Sequence, residues 1–73
     1  MAQLPNLSGT EVVRVFERLG WTFSRQSGSH MVLTKDGEIA SLSVPKHREV
    51  AKGTLRSLLR AANLTVDEFI KAI

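Results

Sequence analysis

The chain has no cysteine. That excludes a disulfide scaffold and any thiolate metal site. No apolar run approaches the ~18 residues of a membrane-crossing helix. The segment from Met1 to Asn6 lacks the basic start and apolar stretch of a signal peptide. These absences point to a soluble protein of the cytoplasm. Aromatics are scarce: Phe16, Trp21, Phe23 and Phe69 are all there are. A core must therefore come mainly from Leu, Val, Ile and Ala.

What is present suits a small folded domain. With 73 residues, one domain over positions 1–73 is expected, near the lower limit for a self-supporting core. Such a core rarely supplies more than roughly 3–5 kcal/mol, which leaves room for a stabilising partner. The 42% apolar content is too high for a disordered chain. Ten Lys and Arg stand against seven Asp and Glu, a net charge of +3. The excess leans towards a polyanionic partner, and its placement matters more than its size.

The chain divides at its capping and turn signals. Met1 to Leu7 reads as a loose tail. Ser8-Gly9-Thr10-Glu11 has the form of a capping box, in which Ser8 and Glu11 satisfy each other's backbone N–H. Val12, Val15, Phe16 and Leu19 follow at helical spacing, and Gly20 offers a left-handed stop. The first helix is expected from Ser8 to Leu19. Trp21 to Gln26 alternates bulky and polar residues as a strand does. Ser27-Gly28-Ser29 breaks it, and His30 to Thr34 reads as a second strand. Asp36-Gly37 is a type I′ hairpin signal, and Ile39 to Val44 reads as a third strand that Pro45 ends. A basic loop leads to a second helix beginning near Ala51–Gly53, marked by Leu55, Leu58, Leu59 and Ala62, with Asn63 suited to its end. Thr65 to Glu68 forms a second capping box and opens a short last helix. The expected class is α+β, in the order α-β-β-β-α-α.

A two-residue turn at Asp36-Gly37 fixes a register. Leu33 then faces Ala40, Met31 faces Leu42, Val32 faces Ser41 and His30 faces Ser43. Side chains alternate across a strand. Met31, Leu33, Ala40, Leu42 and Val44 should pack on the helices. His30, Ser41 and Ser43 should share the open face, joined by Thr22, Ser24 and Gln26. His47 belongs to the same end of the hairpin. Arg25 is the nearest cation on the first strand, and Lys46, Arg48 and Lys52 follow Pro45.

Imidazole beside cations suits RNA transesterification. The ribose 2′-OH attacks its own 3′-phosphate, a base takes the 2′ proton, and an acid protonates the leaving 5′ oxygen. Imidazole serves either role because its ordinary pKa of about 6.5 lies near working pH. A cation stabilises charge on the phosphoryl oxygens. No metal or cofactor is called for. Against this, a surface histidine is most often only a polar side chain. Arg48, Lys52, Arg56 and Arg60 recur every four residues, which on a helix makes a basic ridge able to track phosphates. A solvated helix face would look the same.

Several segments together resemble the HicA toxins, also called YcfA-like proteins. They are Ser8-Gly9, Leu19-Gly20-Trp21, Arg25-Gln26-Ser27-Gly28-Ser29-His30, Val44-Pro45-Lys46-His47, Lys52 to Arg60 and Leu64 to Phe69. The resemblance runs over nearly the whole chain, and it rests on the order and spacing of these segments. It implies a double-stranded-RNA-binding-domain-like fold, with helices on one face of a three-stranded antiparallel sheet. It also implies a ribosome-independent mRNA interferase and a HicB-type antitoxin covering its active face. The family's Gly-Ser-His motif falls on Gly28, Ser29 and His30, which makes His30 the catalytic residue. His47 occupies a Pro-x-His position and becomes a possible auxiliary. Arg25, Gly28, Ser29, Lys46, Arg48, Lys52, Arg56 and Arg60 are the expected RNA contacts. Ala51-Lys52 departs from a basic residue followed by Pro, which is expected to fray the start of the second helix. Two other readings compete. One is a non-catalytic RNA-binding module of the same fold. The other is a helix-turn-helix DNA binder from Thr54 to Ile73, whose last helix has only Lys71 to set against Asp67 and Glu68 and so suits a groove poorly.

Overall fold

A computed structural model describes residues 3–73. The elements run α1 (Gly9–Arg18), β1 (Thr22–Ser27), β2 (His30–Thr34), β3 (Leu42–Pro45), α2 (Lys52–Ala61) and α3 (Val66–Lys71). The class is α+β, with an antiparallel sheet in the order β1-β2-β3.

Both capping boxes form. The Ser8 hydroxyl accepts from the Glu11 N–H at 3.2 Å while the Glu11 carboxylate accepts from the Ser8 N–H at 2.9 Å. Thr65 and Glu68 repeat the pattern. Two helices end in the same way. Gly20, at φ 99°, lets the Trp21 N–H donate back to the Phe16 carbonyl at 3.0 Å. Asn63, at φ 62°, lets the Leu64 N–H donate to the Leu59 carbonyl at 2.9 Å. These six-to-one bonds are the Schellman closure that a left-handed residue permits. Ala51 caps α2 with no side-chain bond, yet the helix starts at Lys52.

The core lies between the sheet and the helices. Met31, Leu33, Leu42 and Val44 point from the sheet into it, against Val12, Val15 and Phe16 of α1 and Leu55, Leu58 and Leu59 of α2. Phe16 sits at its centre, 5.4 Å from the Phe69 ring and 6.5 Å from Trp21. Residues 3–7, expected as part of a loose tail, instead pack down: Leu4 and Leu7 are buried, and the Leu7 carbonyl accepts from the Val50 N–H at 2.8 Å. Met1 and Ala2, the rest of that expected tail, lie outside the described residues.

The third strand differs from expectation. It runs from Leu42 to Pro45, and Ile39 and Ala40 are exposed loop residues. Met31 pairs with Val44, Val32 with Ser43, and His30 with Pro45, two positions along from the expected register. The Asp36-Gly37 turn explains the shift. The Glu38 N–H donates to the Lys35 carbonyl at 3.0 Å, but only Gly37 has positive φ, at 87°. A type I′ turn needs positive φ at both central residues. With one, the turn splays its strands, and the ladder resumes only at Leu42. A two-residue slip preserves side-chain parity, so the faces survive.

Parity fails once, on β1. Thr22 pairs with Thr34 and Phe23 with Leu33, but then Arg25 pairs with Val32 and Ser27 with His30. Ser24 is the extra residue of a bulge. Beyond it Arg25 and Ser27 take the open face, and Gln26 turns to the Met31 side, the reverse of the expected placement of Gln26.

Candidate active site

His30 opens β2, immediately after the two-residue Gly28-Ser29 turn. Gly28 adopts φ 60°, and a Cβ there would meet nothing within 4 Å. The requirement for glycine is therefore conformational: it takes the positive φ that the first position of a type II′ hairpin turn demands. Two bonds hold this turn. The Gln26 side-chain amide donates to the Gly28 carbonyl at 3.1 Å. The Lys46 N–H donates to the Ser29 carbonyl at 2.7 Å.

The open face forms a trough of about 350 Å³ lined by Arg25, Ser27, His30, Val32, Ser41 and Ser43. Ser27 lies directly across the ladder from His30. Val32, half-buried, makes the floor, and the other lining residues are exposed. An imidazole, a guanidinium and three hydroxyls thus converge on one solvent-open surface. The set can exchange a proton, hold an anion and donate several hydrogen bonds to it. Among the described residues no group of three or more His, Asp or Glu side chains is gathered to hold a metal ion.

The other expected site residues are distributed around this trough. Gly28 and Ser29 form the turn at its end. Lys46 is tied to that turn through its backbone. The His47 carbonyl accepts from the Gly9 N–H at 2.9 Å, and the His47 side chain is exposed outside the trough lining. Arg48 lies in the loop before α2, so the basic ridge on the helix consists of Lys52, Arg56 and Arg60. Arg56 and Arg60 border a separate hollow with Leu59, Leu64, Thr65 and Val66. Ser27 was missed in the sequence. The signal for it is the Gly28-Ser29 pair: a two-residue turn there sets Ser27 opposite His30.

A tight turn presents a histidine beside an arginine on the bare face of a three-stranded sheet, with helices behind. That arrangement defines a small α+β domain with an open sheet surface suited to holding an anionic ligand. A family model described as the HicA toxin of bacterial toxin–antitoxin systems matches residues 9–64, and the chain belongs to that family. Comparison with curated proteins gave no match. No helix among the described residues is long and apolar enough to cross a membrane.

Proposed function

We propose that this HicA-family toxin is a ribosome-independent mRNA interferase of the cytoplasm, and that His30 is its catalytic residue. The observation that carries the reading is the company of His30: a flexible-reach cation, Arg25, and hydroxyl donors line the same open trough. His30 moves a proton, either taking it from the attacking 2′-OH or giving it to the departing 5′ oxygen. Arg25 faces the phosphoryl oxygens and stabilises the charge that builds there. The products are a 2′,3′-cyclic phosphate and a free 5′-OH, and no metal enters the step. Gly28 and Ser29 set the position of His30. Lys46 and Arg48, and the ridge of Lys52, Arg56 and Arg60, contact phosphates farther along the strand, and His47 is an auxiliary group at the loop. A HicB-type antitoxin would silence the enzyme by covering the trough.

The test is His30→Ala. The variant should fold as the parent does, by circular dichroism, and should lose about 10²–10⁴ in cleavage rate on purified RNA in EDTA. A folded variant that cleaves at the parent rate overturns the assignment. Parent activity that disappears on chelation and returns with magnesium overturns the metal-free step.

A further inference from the structure

The trough has few groups with which to read a base. Its lining includes no Asn, Gln, Asp or Glu. The imidazole of His30 is its one aromatic ring, because Phe16, Trp21 and Phe69 are buried and Phe23 stands across from Leu33 on the helix side. Gln26, the nearest carboxamide in sequence, lies on that side too and is bonded to Gly28. Proteins that read single-stranded RNA stack its bases on aromatic rings and match their edges with polar side chains. Serine hydroxyls donate or accept with any base, and so discriminate little. They bind phosphate and ribose oxygens well. Only Arg25 could make a selective two-pronged contact, to guanine.

We infer that the trough grips the ribose–phosphate backbone of single-stranded RNA and not its bases, with Ser27 and Ser43 as the hydroxyl contacts on either side of His30. Ser27 approaches from β1, directly across from His30, and Ser43 from β3, across from Val32. Cleavage is then almost indifferent to sequence, because the proposed step engages Arg25 with the phosphoryl oxygens and not with a base. The inference rests on the RNA-cleaving reading above, but binding tests it separately.

Affinities of the His30→Ala chain for labelled oligo-U, oligo-A and oligo-C should agree within about threefold, below the roughly five- to 150-fold that one good base contact provides. Ser27→Ala and Ser43→Ala, each added to that chain, should weaken all three by a similar factor, on the order of tenfold. Ser27→Thr, which keeps the hydroxyl, should restore binding. In parallel, the parent protein is given RNA of random sequence and the cleaved ends are mapped. Uniform, serine-dependent binding without cleavage would support the inference and overturn the endonuclease reading. Cleavage only at a fixed motif of two or more bases, or serine variants that bind like their parent, would overturn the inference and leave the endonuclease in place. No RNA binding at all would overturn both.

Discussion

A methyl group added to Gly9 would fall into the carbonyl oxygen of Pro45 and come within 3.0 Å of the Lys46 Cα. Neither is a flexible side-chain end, so the start of α1 or the 45–47 loop must move. Overpacking of this kind costs about 1–3 kcal/mol. Gly53, by contrast, has open space around its Cβ position and lies in a helix. Gly9→Ala should lower the denaturation midpoint, whereas Gly53→Ala should raise stability by about 0.5 kcal/mol. Urea titration of the two variants beside the parent checks both signs. Glu11 and Glu68 permit a second residue-scale prediction. The Ser8 backbone N–H, and after it the Ser8 hydroxyl, hold the Glu11 carboxyl below its ordinary 4.5, and Thr65 does the same for Glu68. Lowered carboxyl values in the fold mean that the unfolded chain takes up protons first. The stability from these caps is therefore present above pH 4.5 and lost as pH falls through the lower folded values. Melting temperatures of a Glu11→Gln, Glu68→Gln double variant should fall less between pH 5 and pH 3 than those of the parent.

At the scale of elements, α2 carries Lys52, Arg56 and Arg60 one turn apart on its exposed side. If they meet single-stranded RNA, the plot of log affinity against log salt should have a slope of about −2, from roughly −0.7 per phosphate neutralised. A Lys52→Ala, Arg56→Ala double variant should flatten that slope and weaken all RNAs alike, as phosphate contacts do. An unchanged slope with weakened antitoxin binding would reassign the ridge to inhibition. The elements themselves were largely legible in the sequence, because their signals are local. Ser8, Gly20, Asn63 and Thr65 each do at a helix end what their chemistry suggests. The open-face placement of His30 was legible too, since side-chain parity survived the slip of the third strand. What escaped was backbone geometry that composition does not encode. Asp36 and Gly37 allow more than one turn type, and the one adopted splays the strands. Nothing about Ser24 marks it as a bulge, yet the bulge sends Arg25 and Ser27 to the site and Gln26 away from it. The burial of Leu4 and Leu7 depends on a tertiary surface that local sequence signals do not specify.

Over the whole molecule, the two faces of the sheet divide the labour. One is sealed by α1 and α2 and takes in the apolar side chains of β2 and β3; the other stays bare and carries the imidazole. In a chain this small the two tasks share a boundary, the loop from Pro45 to Val50. Its backbone is bonded to Ser29 beside His30, to Gly9 at the head of α1, and to Leu7 in the N-terminal segment. The donors in these bonds are the amide protons of Lys46, Gly9 and Val50. Lys46 and Val50 lie in irregular chain, where amides ordinarily exchange with solvent quickly. Here they are held by segments distant in sequence. In deuterated buffer the Lys46 and Val50 amides should exchange slowly and at matched rates, together with the core amide of Leu33, so that the margin of the site opens only when the entire protein does. Fast exchange at Lys46 beside a protected Leu33 would show instead that the Gly28-Ser29 turn breathes independently of the core.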